Sequence, residues 1–154
     1  MRDNRGVRID DARTFPVSLQ RGFDYVVDPA NWPEYWPDLV RVEDGGSWQR
    51  PGDEMSLVIR LLGRETKLEL TLERMEQYRL VEYRSVQSGL PDAHHERHFA
   101  GDDQRLDYGI VVEFEPRPGI RGTFDRVVVP RGVRRAVATT LDNLDEVFRA
   151  VGQR

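Results

Sequence analysis

All three histidines of this 154-residue chain fall within five positions, His94-His95-Glu96-Arg97-His98. Imidazole, carboxylate and guanidinium groups move protons, bind metals and hold anions, so this run is the first place to look for chemistry. On a strand rising ~3.3 Å per residue, His94 and His98 stand ~13 Å apart. That is too far to share one ion at metal–nitrogen bonds of ~2.0–2.1 Å. His94 and His95 point to opposite faces. A helix would bring His94 and His98 together, but the flanking hairpin pattern argues for a strand. No metal site and no cofactor are expected.

His95 and Arg97 share a face, and that face is read below as the inner one. An arginine enclosed by protein must find an anion, a carboxylate or water, because burying it unpaired is costly. Its planar fork suits a ligand carboxylate, phosphate or enolate. The structural alternative is an internal pair with a glutamate, or a place at the sheet end where the group reaches solvent. His95 has an ordinary pKa near neutrality and the reach of a general acid or base, or else it is a hydrogen-bonded wall residue. Tyr83 and Tyr108 either orient a ligand through their hydroxyls or pack as aromatics with a bonded OH. Trp32, Tyr35 and Trp36 either line a cavity mouth or form a small core that pins a turn. Ser18 and Ser85 sit in no nucleophile motif. There are no cysteines, which removes disulfides, thiolate metal sites and a cysteine nucleophile.

The elements that must position these groups follow from periodicity. Val7 to Phe15 reads as a first strand, after a polar tail at residues 1–6 that is expected to be loose. Ser18 can cap a helix in which Leu19, Phe23, Val26 and Val27 form one apolar face. Asp28-Pro29 ends it, since proline disfavours α geometry at the residue before it. The segment Asn31-Trp32-Pro33-Glu34-Tyr35-Trp36-Pro37 predicts one rigid helical turn, and Trp48 follows Gly45-Gly46.

Three hairpins come next. Glu54–Leu62 and Glu65–Glu76 flank Gly63-Arg64, which read as a two-residue turn pairs Ile59 with Leu68, Leu57 with Leu70 and Met55 with Leu72. The opposite face then pairs Val58 with Glu69 and Arg60 with Lys67. A turn near Gln77-Tyr78 sets Leu72 opposite Tyr83 and Leu70 opposite Ser85. A turn at Gly101-Asp102-Asp103-Gln104 sets Phe99 opposite Leu106, Arg97 opposite Tyr108 and His95 opposite Ile110. The inner wall therefore mixes Leu57, Ile59, Leu70 and Ile110 with Tyr83, His95, Arg97 and Tyr108. In the terminal helix, Val133, Val137, Leu141, Leu144, Phe148 and Val151 make an apolar stripe, and Val137 and Leu141 are taken as cavity-lining. This helix starts either near Thr123, with a kink at Pro130, or at Pro130 itself.

A lone long helix after a sheet buries its stripe on the sheet's concave face, which makes a container. Composition agrees with one domain spanning 1–154. Hydrophobic residues at 38% can build a core, and no run approaches the ~20 apolar residues that span a bilayer. The charged start Met1-Arg2-Asp3-Asn4-Arg5 is no secretory signal, and a cytoplasmic location is expected. The net charge of −4 lacks the basic excess of a nucleic-acid binder. Arg131, Arg134 and Arg135 are a local exception, read as a solvated helix face.

In order and spacing, Phe23-Asp24-Tyr25-Val26-Val27-Asp28-Pro29, then Trp32 and Trp36-Pro37, the Phe99–Phe114 hairpin and Thr140-Leu141-Asp142-Asn143-Leu144 resemble the START-related, polyketide cyclase/dehydrase-like (SRPBCC) superfamily over roughly residues 8–151. The resemblance implies an α+β helix-grip fold: a curved antiparallel β-sheet wrapped around a long C-terminal helix, with two short helices after the first strand. It implies an elongated cavity between sheet and helix. The partner expected there is a hydrophobic small molecule, a lipid, quinone or polyketide. A cyclase/dehydratase-type enzyme using the same cavity, and a non-catalytic interaction module, are the alternatives. No diagnostic catalytic motif maps onto the chain, so catalytic residues, ligand and oligomeric state are left open.

Overall fold

The structure, a computed structural model, describes residues 6–43, 46–61 and 63–152. The chain runs β1 (Val7–Phe15), α1 (Leu19–Val27), a 3-10 turn (Pro29–Asn31), α2 (Trp32–Tyr35), β2 (Leu39–Val42), β3 (Glu54–Leu61), β4 (Arg64–Glu76), β5 (Leu80–Gln87), β6 (Ala93–Gly101), β7 (Leu106–Phe114) and α3 (Ile120–Gly152). The seven strands form one curved, open antiparallel sheet in the order β1-β7-β6-β5-β4-β3-β2. With α3 closing it after two short helices, this is the expected α+β helix-grip architecture. Of the expected tail only Gly6 is described, and Gly45 and Leu62 lie outside the described residues.

Local signals place the first elements. The Ser18 hydroxyl accepts the Arg21 amide at 3.2 Å and caps α1. Asp28 caps the 3-10 turn by accepting the Ala30 amide at 3.0 Å, with Pro29 at its first position. The last carbonyls of a helix lack internal partners. Here Val26 O accepts two aromatic donors, Trp32 Nε1 at 3.0 Å and Tyr35 Oη at 2.8 Å. Those two bonds pin α2 to the end of α1. Asn143 Nδ2 donates to Tyr35 O at 3.0 Å, and Arg13 pairs with Asp142 at 2.7 Å, so α3 is tied to both α2 and β1.

The inner and outer faces of the hairpins fall as their alternation predicts, but two registers differ by two residues. In β3–β4 Leu61 pairs with Arg64, so Leu57 meets Leu68 and Met55 meets Leu70. An even shift keeps every side chain on its face, so alternation alone does not detect it. Cross-strand charge does. The expected register sets Arg60 against Lys67, whereas the observed one sets Arg60 against Glu65, with an ion pair at 3.7 Å, and Ser56 against Glu69, with a hydrogen bond at 2.6 Å. The turn keeps two residues but moves back by one position, and Gly63 takes a positive φ of +80° in it.

In β6–β7 the loop is Asp102–Arg105, so Phe99 meets Tyr108, Arg97 meets Ile110 and His95 meets Val112. The Asp102 carboxylate accepts the Gln104 and Arg105 amides at 2.9 and 3.1 Å, which builds the loop inside the turn. The middle hairpin keeps its expected pairs, Leu72 with Tyr83 and Leu70 with Ser85. It does so with a three-residue loop, Tyr78 at φ +62°, balanced by a bulge between Leu72 and Arg74. The short strand β2 was not expected.

Helix α3 begins at Ile120, earlier than either expected start, and carries Pro130 in its interior. Tertiary contacts offset the missing backbone hydrogen bond. Asp125 is fully buried, accepts the Arg117 amide at 2.7 Å and takes both arms of the Arg117 guanidinium at 2.8 and 2.9 Å. Val129 and Pro130 are buried beside it. Burial and this pair extend the helix through a β-branched run that is weakly helical by itself.

Candidate functional site

A cavity of about 50 Å³ lies between the aromatic turn, the sheet and α3. Val26, Val27, Trp32, Tyr35 and Trp36 form one wall, Trp48 a second, and Val81, Tyr83, Arg97 and Phe99 the sheet wall. Thr140 reaches in from α3. Pockets that take drug-sized ligands measure roughly 300–1,000 Å³, so this one holds only a few waters as it stands. The reason is the indoles. Trp32 packs against Trp36 at 5.4 Å and Trp48 at 5.5 Å between ring centroids, and Trp48 packs edge-on to Tyr83 at 5.6 Å. Larger clefts, up to about 950 Å³, are surface grooves lined by charged and loop residues.

Arg97 is the polar centre of the cavity. Its Nη2 donates to Tyr83 Oη at 2.7 Å, its Nη1 donates to the Glu96 carbonyl at 3.2 Å, and its guanidinium carbon lies 5.3 Å from the Tyr83 ring centroid. Every one of these partners is neutral. Among the described residues no carboxylate pairs with it; Glu96, next in sequence, points to the other face and bonds His94 and His98.

Tyr83 links the cation to a second group. Its ring stacks on His95 at 4.5 Å with planes 6° apart, and His95 Nε2 meets Ser85 Oγ at 2.9 Å. Burial first, and the Arg97 cation second, push His95 well below its ordinary pKa, so it is a neutral imidazole near pH 7. The unperturbed value that made it a candidate acid or base does not apply in this setting. Burial raises Tyr83 and Tyr108, against the opposing pull of Arg97, so both are neutral phenols. The Tyr108 hydroxyl lies close enough to Arg97 for the cation to pull on it, but its geometry falls short of a well-formed hydrogen bond; His95 Nδ1 has no partner among the described residues.

Of the residues named from sequence, Tyr83 and Arg97 line the cavity. His95 and Tyr108 sit immediately behind them as wall residues. Leu57, Leu70, Ile110, Val137 and Leu141 are buried in the core, with Ile59 packed at its margin. Trp32, Tyr35 and Trp36 do both things considered for them: they pin the turn and line the cavity. Trp48, Val81, Phe99 and Thr140 were not named as lining. Their signal was available only as an unexplained tryptophan and as continuations of the β5, β6 and α3 periods.

The outer face of β5 and β6 brings together Glu82, His94 and Glu96, with donor atoms all within 4.8 Å of one another. His94 Nδ1 also meets Glu73 at 3.2 Å, and His98 reaches Glu96 at 2.8 Å. His94 and His98 do share a face, but they are joined through Glu96 rather than to each other.

The sequence pattern of the polyketide cyclase / dehydrase and lipid transport family matches residues 6–149. The chain belongs to that family, within the START-related SRPBCC superfamily. Solved structures agree on the fold. TTHA0849 from Thermus thermophilus superposes with a TM-score of 0.77 at 14% identity, covering 94% of this chain and 99% of that one. The Zhui aromatase/cyclase from Streptomyces sp. R1128 gives 0.69 at 14% identity, over 92% and 96%. The di-domain aromatase/cyclase StfQ from the steffimycin biosynthetic pathway gives 0.76 at 12% identity, over 97% of this chain and 52% of that one. No curated protein matches. Among the described residues, no helix is long and apolar enough to cross a membrane.

Proposed function

We propose that this family member binds a compact aromatic or polyketide-like molecule that carries an acidic or enolisable oxygen. The ligand sits among Trp32, Trp36 and Trp48 with its oxygen against Arg97. One observation carries the reading: Arg97 is a part-buried cation on the cavity wall whose hydrogen-bond partners are all neutral. An ion taken from water without a counter-ion costs several kcal/mol, and an anionic ligand returns that cost as binding energy. Entry requires the indoles to part. Among the described residues the Trp36 and Trp48 indoles make no hydrogen bond, whereas Trp32 donates to Val26 O, and Trp48 is the one carried on the β2–β3 connection.

A second reading, a cyclase or dehydratase, is favoured by one further observation, the Tyr108 hydroxyl close to Arg97 without a well-formed hydrogen bond. There water would take the α-proton, Arg97 would stabilise the developing enolate, and Tyr108, one layer behind the cavity wall, would give its proton to the departing hydroxyl, which leaves as water once the wall opens. Family membership supports both readings.

All three tryptophans of the chain line the cavity, so intrinsic fluorescence reports its occupancy. The test titrates 1-hydroxy-2-naphthoic acid against naphthalene, with native mass spectrometry of the freshly purified protein alongside. The expected result is tryptophan quenching with the acid binding at least tenfold tighter, and loss of that preference in Arg97→Met. No quenching by either compound, together with a clean apo mass, overturns the binding reading. For the second reading, turnover of a polyketide thioester that drops ~10²-fold in Tyr108→Phe with binding intact would support catalysis, the usual size of an acid/base contribution.

A further inference from the structure

The exposed large apolar side chains among the described residues are Val86, Ile120, Phe124, Val127 and Val128. Four of these five lie on the first three turns of α3. Ile120 leaves 91% of its surface in solvent, and Val127 and Val128 leave 48% each. At 3.6 residues per turn, Ile120, Phe124 and Val127 fall on one stripe with Val128 beside it. That stripe runs on into Arg131, Arg134 and Arg135, about 22 Å from end to end at 1.5 Å per residue. The opposite side of the same turns buries Gly122, Asp125, Val129 and Pro130. This segment is thus apolar on two sides, and only one of them faces the protein.

Charge marks the same surface. Between Glu115 and Asp142 the sequence holds six arginines and a single acid, Asp125. That acid is buried and taken by Arg117. Arg121, Arg126, Arg131, Arg134 and Arg135 are exposed and form no ion pair among the described residues. In a chain with a net charge of −4, Arg131, Arg134 and Arg135 lie on the exposed apolar stripe with Arg121 at its edge, while Arg126 projects from the other side of the helix.

We propose that this face docks on the anionic surface of a phospholipid bilayer. Ile120, Phe124 and Val127 enter the boundary between headgroups and acyl chains, and Arg131, Arg134 and Arg135 lie among the phosphates. Exposed apolar side chains beside arginines on one helix face are what such an interface binds, because burial of apolar area and attraction to anionic lipid add. A second copy of this chain is the poorer occupant: it would bring more unpaired arginines and no exposed acid to the shared face. The proposal does not depend on what the cavity holds.

The test is co-sedimentation of the full-length protein with phosphatidylcholine vesicles and with mixed phosphatidylcholine–phosphatidylglycerol vesicles, at low and high salt. Binding is expected only to the mixed vesicles, and to weaken with salt. The triple variant Arg131→Gln, Arg134→Gln, Arg135→Gln is expected to bind about 100-fold more weakly, from about fivefold per arginine near an anionic surface. The double variant Ile120→Ser, Phe124→Ser should lose binding at unchanged charge. These side chains are exposed, so an unchanged melting temperature and tryptophan spectrum will show that the variants fold. Absence of binding to the mixed vesicles overturns the proposal, and so does binding that the variants leave intact. A lipid-free dimer in light scattering that the serine variant dissolves assigns the face to a second copy instead.

Discussion

Arg97 is the position where stability and binding are expected to pull in opposite directions. The perturbation is the pair of variants Arg97→Met and Tyr83→Phe/Arg97→Met. Arg97 makes two charge-assisted hydrogen bonds to neutral acceptors, at 2.7 and 3.2 Å. Each is worth about 1.5–3 kcal/mol, so together they return about 3–6 kcal/mol. Full enclosure would cost an ion several kcal/mol; Arg97 is part-buried and bears a share of that cost, which brings the net contribution without a ligand near zero. Methionine fills similar space without charge. The single variant leaves the Tyr83 hydroxyl unpaired, at a cost of about 1–3 kcal/mol, and is expected to be nearly neutral.

The double variant removes that orphan while Phe keeps the stack on His95 and the edge contact to Trp48. It should gain about 1–2 kcal/mol. In a chain of this size that is a rise of roughly 2–8 °C in melting temperature, at about 2–4 °C per kcal/mol. Affinity for an aromatic acid should fall by about 30- to 5,000-fold, from about 2–5 kcal/mol for a desolvated charge contact. Urea and thermal unfolding read the first quantity and tryptophan quenching the second. A double variant more than about 1 kcal/mol less stable than the parent would refute the reasoning, because Arg97 would then be a structural residue. Undiminished affinity for the acid would refute the anchor.

Trp48→Ala removes edge contacts to Trp32 and Tyr83 and should cost about 3–5 kcal/mol. Millimolar indole should restore part of that loss by filling the enlarged cavity, and a melting temperature insensitive to indole would count against it. His95 has its folded pKa held well below the unfolded value near 6.5, so its contribution is complete above pH 6.5. As pH falls below 6.5 the unfolded chain binds a proton that folded His95 refuses. Stability then drops by up to about 1.4 kcal/mol per pH unit. His95→Gln should flatten this slope between about pH 6.5 and 4.5 in urea titrations, above the window where carboxylates contribute; an unchanged slope would show that His95 is not the group responsible.

Much of the architecture is written in local pattern. The Ser18 cap, the Asp28-Pro29 stop and the alternation of β3 to β7 each act through neighbours a few residues away, and each appears where expected. The same alternation puts Tyr83, His95 and Arg97 on the inner face. Registers are less legible, because a period of two is blind to a shift of two. In β3–β4 turn geometry and the Arg60–Glu65 pairing made that choice, and in β6–β7 Asp102 made it through the loop amides it accepts.

The sequence pointed to a cavity and to Tyr83 and Arg97 on its wall, but its size and closure were not legible. The cavity depends on Trp48 meeting Tyr83 across 35 positions, on two aromatic donors converging on one Val26 carbonyl, and on Asn143 reaching Tyr35. Its volume is a small difference between large packed volumes, and no linear pattern records such a difference. The early start of α3 has the same origin. Sequence alone determined which residues share a face, because faces follow from backbone period. Only tertiary structure decided what stands opposite them: neutral partners around Arg97, indoles in the cavity, and solvent over Ile120 and Phe124. Those neighbours are set by packing between layers, where distance along the chain carries no information.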